Sequence, residues 1–470
     1  QCDQIMKQLL RKNSSWAGLV AAIIAAGGLA SAAQAQTSDA LIDTLVKKGV
    51  LTDQEAEDIR ADLYTEHKEK NAKNVQFYWK DGLNFKSGDD KTFKGKIGGR
   101  IQWDTAFFSE SGGLKNSPVV GDQESGTEFR RVRLHSEGQI NTSQPVFYKL
   151  ELDFADSDVD FKDVYIGIGD LPGVGSVKAG HYKEPMGLEE LTSSRYITFM
   201  ERSLPTEAFV PSRNTGLSIG KPILNDRMTW GLGGFTTTDD TANGTFDSNW
   251  AVSGRVTGLA FYDEESKGRE LVHLGLSGRV ANPEDDTARF RSRPEAHLAD
   301  RLADTGGLPA EEVYVLGAEA AWVNGPLSLQ GEFLNTWVNG GDDPSFYGYY
   351  VAASYFLTGE NRPYKTSSGT FDRVKPNKSF GLKDGGWGAW ELALRYSALD
   401  LNDSGFNGGE LADISAGVNW YMNPNARVML NYVFADLDDR EDTLDIGGTP
   451  TLVETDGSMH AVMTRLQIDF

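Results

Sequence analysis

Three arginines at alternate positions, Arg289, Arg291 and Arg293, stand in a stretch of chain that is otherwise acidic. A guanidinium stays charged at any physiological pH and grips an oxyanion through parallel N–H donors; a series of them can pass an anion along without trapping it. A second basic stretch, Arg362, Lys365, Arg373, Lys375 and Lys378, offers the same chemistry. Other chemistries lack their residues. The one cysteine is Cys2, the six histidines are scattered, and neither an H-E-x-x-H zinc motif nor a phosphate-cradling glycine loop is present. No nucleophile elbow is expected either, so the reading is of a non-enzyme with no metal and no cofactor.

The elements that must position these arginines show a period of two. From residue 91 onward, apolar and polar residues alternate over segments of strand length, and sixteen such segments can be counted. The clearest are 94–107, 131–140, 146–154, 250–262, 272–280, 390–398, 426–434 and 462–470. Tryptophans share the apolar parity: Trp103 goes with Ile97 and Ile101, Trp230 with Leu232, Trp322 with Leu316, and Trp390 with Leu392. That is the expectation for lipid-facing rings at a membrane interface. After residue 35 no apolar run is long enough for a spanning helix, so a closed barrel is the spanning structure that remains. Tight turns at 141–145, 170–175, 324–326 and 423–425 alternate with long links at 112–127, 184–214, 282–311, 401–412 and 436–459, placing the long links on the external face. One long link, 359–385, falls on the periplasmic side. The fold class is therefore all-β, a 16-stranded antiparallel transmembrane barrel with a short N-terminal periplasmic helical segment.

The ends give the address. Lys7, Arg11 and Lys12, an apolar run from Trp16 to Ala30, and Ala33-Gln34-Ala35 read as a signal peptide over residues 1–35, with the native start at Met6 and the mature chain starting near Gln36. Residues 36–74 read as two short helices, Leu41, Ile42, Leu45 and Val46 striping the first and Thr52 with Glu55 capping the second. Residues 75–470 form the barrel. Its last strand alternates Val462, Leu466, Ile468 and Phe470, resembling the terminal strand that the outer-membrane assembly machinery recognises. The whole chain has 46 basic and 68 acidic residues, net −22; without the signal region it has 43 against 67, net −24. Such acidity argues against nucleic acid as a partner, and an anion path requires the basic residues to be concentrated where ions pass.

Parity sorts them. With Val132, Leu134 and Ile140 facing lipid, Arg131, Arg133 and His135 face the lumen, as does Arg100 opposite Ile101; Arg130 turns outward. Arg255, Arg279, Arg395, Arg427 and Arg465 also take the inward parity. Each either lines an ion path or pairs with an inward acid such as Glu151, Asp153, Glu319 or Asp469.

Several stretches are similar to the phosphate-selective porin O and P family: KIGGRIQWD (96–104), FRRVR (129–133), GLEELTSSRYITFMER (187–202), YFLTGENRPYK (355–365), GAWELALRY (388–396) and GVNWYMNPNAR (417–427). The resemblance spans about residues 75 to 470. It implies a homotrimer of sixteen-stranded barrels in outer-membrane lipid, each pore narrowed by its third and fifth external loops and one periplasmic turn. Those would be 184–214, a loop containing Arg289 to Arg293, and 359–385. Arg100, Arg130, Arg131, Lys178 and Arg202 match basic pore positions of the family, and Arg195 matches another nearby. Arg289, Arg291 and Arg293 match its arginine ladder, and Asp163 an acidic position near the binding site. Glu190 stands where selective members place a lysine, another site lysine aligns near Phe147, and Glu184 and Arg133 replace tyrosines. The expected function is passive diffusion of small anions such as phosphate, pyrophosphate or polyphosphate into the periplasm. A general, weakly selective porin and a structural outer-membrane protein with a plugged lumen are the alternatives.

Overall fold

The computed structural model describes residues 42–470, apart from 73, 88–91, 156–157, 240, 245–248, 384 and 446–447. The signal-peptide reading therefore lies outside the described residues, as do 36–41 of the helical segment. The chain divides into two compact units, one ending at Lys94 and one from Gly95 to Phe470.

In the first unit a helix over 42–47 precedes the helix Asp53–Ala72. The second helix starts with a reciprocal cap: the Thr52 N–H donates to Glu55 Oε2 at 2.9 Å, and the Glu55 N–H donates to Thr52 Oγ1 at 3.2 Å. These bonds hold the Glu55 carboxyl below its usual pKa. A depressed carboxyl stabilises the fold above its unfolded pKa, and that stabilisation is lost as pH falls through the folded value. Hydrogen-exchange protection factors for the first turn, compared between about pH 6 and pH 3, are therefore expected to drop on acidification, and less so in Glu55→Gln; equal drops in both would rule the cap out as the cause. A hairpin, Val75–Trp79 with Leu83–Ser87, completes the unit.

The second unit is a barrel of sixteen antiparallel strands: β1 Phe93–Glu110, β2 Gly126–Ile140, β3 Val146–Asp153, β4 Asp160–Leu171, β5 Gly175–Lys183, β6 Arg213–Ile223, β7 Met228–Thr236, β8 Trp250–Tyr262, β9 Glu270–Asn282, β10 Glu312–Asn324, β11 Leu327–Asn339, β12 Ser345–Phe356, β13 Ala389–Asp403, β14 Phe406–Asn423, β15 Ala426–Asp445 and β16 Pro450–Asp469. Each pairs with its neighbours, and β16 pairs back onto β1, Ile468 opposite Ile101. At this seam the Gly99 N–H donates to the Phe470 carbonyl at 2.7 Å and the Phe470 N–H to the Gly99 carbonyl at 3.0 Å. Glycine is required there, because a Cβ on Gly98 would stand 2.4 Å from the Phe470 carbonyl oxygen and one on Gly99 2.6 Å from that of Arg133. Closure leaves no strand edge to expose unpaired N–H groups to hydrocarbon.

Outward side chains are apolar and exposed, such as Ile166, Leu276, Leu316 and Leu394, while the inner face buries Arg395, Arg465, Glu151, Glu319 and Glu391. Interfacial aromatics cluster where they were expected: Trp390 stacks on Trp420 at 5.4 Å, and both indole N–H groups donate to the Trp387 carbonyl.

Two expected long links are instead strand. β13 and β14 turn over between Asp403 and Phe406, and β15 and β16 remain paired out to Asp445 opposite Pro450. Beyond the membrane both faces of a hairpin meet water, so the apolar half of the alternation disappears while backbone pairing continues. Arg130 is a second correction. Phe129 and Leu134 both point outward although they differ in parity, so the alternation breaks between Phe129 and Arg131, and Arg130 turns inward beside Arg131.

Candidate permeation site

The link over 184–212, the third external loop and here called L3, is stapled around the inside of the barrel wall. At its start, Glu184 accepts from Asn214 Nδ2 at 2.6 Å and from Arg279 Nε at 3.1 Å. The N–H groups of Leu188 and Glu189 donate to the Glu332 carboxylate of β11 at 2.8 and 2.7 Å. Ser194 accepts from Arg100, the Ile197 carbonyl from Arg427, the Thr198 carbonyl from Asn419, and the Leu204 N–H donates to Ser397. In this way L3 satisfies its backbone against inward polar side chains of β1, β11, β13, β14 and β15, as a segment away from bulk water must.

L5, residues 283–311, closes over L3. Arg293 pairs with Glu207 at 3.2 Å, His297 with Glu128 at 2.8 Å, and Glu295 with Arg395 at 2.5 Å. Phe290 packs between Phe209 of L3 and Phe346 of β12, each ring 5.7 Å away. From the other end, the link over 357–388 enters the lumen. Its Tyr364 hydroxyl meets His273 at 2.6 Å, Arg362 lies over Phe371 and donates to Gln330, and Arg373 pairs with Asp469 while reaching the Tyr196 hydroxyl of L3 at 3.2 Å. Three links thus converge on one constriction.

Charges around it fall into two groups. Beneath L3, on β1 to β6, Arg100 pairs with Glu151 at 2.8 Å, Arg133 with Asp153 at 2.6 Å and Glu151 at 3.1 Å, and Asp163 is held by Lys149 at 2.5 Å and Arg213 at 2.8 Å. Lys178 lies 3.7 Å from the Tyr182 ring and 5.0 Å from that of Tyr165, and Arg195 lies by Tyr196; neither makes an ion pair among the described residues. With Arg195 of L3 these groups make six cations against four carboxylates, the fourth being Glu137, which shares the inward parity of Arg133 and stands opposite Lys149.

Between L3 and L5, Arg130 pairs with Glu201 at 3.0 Å and Arg202 with Glu190 at 2.8 Å. Burial pushes the Glu190 carboxyl up, but Arg202 and Lys183 outweigh it and hold the group below its usual range; Glu201 is held well below by Arg130, Arg131 and Arg465 against the same burial penalty. Both carboxylates stay ionised. Glu190, where a lysine was the family expectation, is thus compensated by Lys183 at 3.0 Å as well as by Arg202. The alternating arginines of L5 separate: Arg293 lines the cavity with Arg130 and Arg202, Arg289 is held by Asp304 at 2.6 Å, and Arg291 is exposed.

Lys149, Lys183 and Arg213 belong to this site and were not singled out from the sequence. Lys149 had a usable signal, since it shares the parity of Glu151 and Asp153. Arg213 had none, because strict alternation with the outward Leu217 points it to lipid. The letters G-x-S-x-G do occur at Gly216, Ser218 and Gly220, but in mid-strand: Ser218 faces Lys178 across the ladder and accepts from the Tyr182 hydroxyl, which is no strand-to-helix elbow.

Residues 96–470, all of this barrel except the first three residues of β1, match the family model described as phosphate-selective porin O and P. The chain belongs to that family. As one of these porins it is a channel protein of the Gram-negative outer membrane, as the expectation held. An uncharacterized protein of Caulobacter vibrioides is 32% identical over 411 residues, covering 84% of this chain and 77% of that one. Porin O of Pseudomonas aeruginosa is 27% identical over 392 residues, covering 74% of this chain and 84% of that one. Among solved structures, the anion-selective porin from Comamonas acidovorans superposes with a TM-score of 0.49 at 16% identity, over 80% of this chain and 100% of that one.

Proposed function

We propose that this porin is a passive pore preferring small anions, such as phosphate, pyrophosphate or polyphosphate. One observation carries the reading: beneath and along L3 six cations stand against four carboxylates, and Lys178 and Arg195 make no ion pair among the described residues. An anion passing the constriction meets the charges of Lys178 and Arg195, which no ion pair among the described residues offsets. The net charge of −22 does not oppose this, because selectivity follows the charges beside the path and not the sum over the chain. The working unit we propose is a homotrimer in outer-membrane lipid, as the family resemblance implies, with Phe470 presented to the assembly machinery. A general, weakly selective porin is the second reading, favoured by the pairing of Arg100, Arg130, Arg133 and Arg202 with carboxylates.

The deciding measurement is the reversal potential of the purified protein in a planar bilayer under a potassium chloride gradient. A potential on the chloride side is expected, with phosphate reducing the current. A potassium-side potential would sink the anion reading, and no conductance at all would favour a plugged lumen.

A further inference from the structure

The chamber between L3 and L5 differs from the wall beneath it. It is a cavity of about 220 Å³ whose lining brings together three guanidiniums, those of Arg130, Arg202 and Arg293, and three carboxylates, those of Glu190, Glu201 and Glu207. The lining balances where the wall below is in excess of positive charge. Nor are the three acids equivalent. Glu190 has two cations, Lys183 and Arg202, and Glu201 has three, Arg130, Arg131 and Arg465. Glu207 ion-pairs with Arg293, and its side chain is 31% exposed against 6% for Glu190 and 14% for Glu201.

We infer that this chamber takes small dipolar solutes, carrying an ammonium at one end and a carboxylate or phosphate at the other, of the amino-acid and short-peptide class. The inference deepens the porin reading above and rests on it. A simple anion in the chamber gains from Arg130 or Arg202 and is repelled by the ionised carboxylate bound to each, so the two effects largely cancel. A dipolar solute has a use for both signs. Its ammonium goes to Glu207, the most open of the three carboxylates and the one least compensated, and its anionic end to Arg130 and Arg202, whose side chains are 21% and 17% exposed and whose Nη1 groups donate to no acceptor among the described residues. Leaving the chamber, the solute presents its anionic end to the basic wall below, so binding in one place does not oppose onward movement.

The test uses the purified full-length porin in a planar bilayer and compares block of the chloride current by glycylglycine, which is dipolar, with block by N-acetylglycine, which keeps the carboxylate and lacks the ammonium. Glycylglycine is expected to block at a concentration about tenfold lower. In Glu207→Gln that advantage is expected to vanish, while in Arg293→Gln, which removes the partner of Glu207, it should persist or grow. Equal block of the native pore by both solutes, stronger block by N-acetylglycine, or an advantage untouched by Glu207→Gln would each overturn the inference. The reversal potential, read in the same membrane, separates the two failures: anion selectivity without preference for glycylglycine sinks the dipolar chamber alone, whereas potassium selectivity or no conductance sinks the anion-pore reading as well.

Discussion

Replacing Arg395 with methionine is expected to raise the single-channel conductance, make the open current noisy, and lower the temperature at which the folded barrel is lost. Arg395, on β13 and 1% exposed, is the point where both constricting loops meet the wall. It donates to Glu189 of L3 at 2.9 Å and to Glu295 of L5 at 2.5 Å, and its third contact is the Glu201 carbonyl at 3.1 Å. Glu189 in turn caps the short helix Leu204–Phe209 by accepting from the Ser203 N–H and hydroxyl at 2.9 and 2.7 Å. Removing the guanidinium strands two buried carboxylates. Breaking a buried pair by deleting one partner costs about 3–5 kcal/mol, because the remaining charge has neither water nor counter-ion. Burial already pushes the Glu295 carboxyl up and Arg395 is its main opposition, so in the variant Glu295 is expected to take a proton or to leave the wall. Either outcome loosens L5. Arg395→Lys keeps a charge but offers one compact ammonium to two carboxylates and a carbonyl, and should fall between native and methionine. Unchanged conductance and unchanged heat stability in Arg395→Met would mean that the loops are held by their apolar contacts, with Phe209, Phe290 and Phe346 sufficient.

This network also marks the limit of what the sequence discloses. Lipid imposes a period of two on whatever faces it, so the sixteen strands, their outward tryptophans and the inward Arg100, Arg133, Arg395 and Arg465 could be read directly. The periodicity lasts only as long as the lipid does. Above the membrane the hairpins ending at Asp403 and Asp445 have polar residues on both faces, and they read as loops. Strict alternation fails between Phe129 and Arg131, so parity alone points Arg130 outward while the structure turns it to Glu201. The constriction itself joins residues with no local signature: Glu189 and Arg395 are 206 positions apart, and Glu128 and His297 are 169 apart. A glutamate in a polar loop looks like any solvated side chain until the wall opposite supplies its arginine. The family resemblance placed Arg130, Arg202 and Glu190 near the path, but not which cation would be spent on which acid.

That last distinction sets the remaining expectation, which concerns the ratio of anion to cation permeability. Reversing Arg289, Arg291 and Arg293 together would mix three situations. Arg289 is held in a two-point grip by Asp304, at 2.7 and 2.6 Å, and Arg293 is committed to Glu207; Arg291 has no ion pair among the described residues. Arg195, at the constriction between Ser194 and Tyr196, is likewise without a carboxylate. An arginine bound to an acid contributes a dipole whose field falls off quickly, whereas an unpaired one acts as a full charge. Arg195→Glu, a change of two units about 6 Å from a passing ion in water, raises a chloride and lowers a potassium by about 1.4 kcal/mol each, and salt screening roughly halves both shifts, leaving about tenfold in their ratio. The chloride to potassium permeability ratio is therefore expected to fall about three- to tenfold in Arg195→Glu and by a smaller factor in Arg291→Glu, which is more exposed to bulk water. Arg289→Glu is expected to change it least, while destabilising L5 by setting two carboxylates against each other. If Arg289→Glu moves the ratio as far as Arg195→Glu does, paired and unpaired arginines contribute alike, and the excess of cations over carboxylates beside L3 cannot be the source of the proposed anion preference.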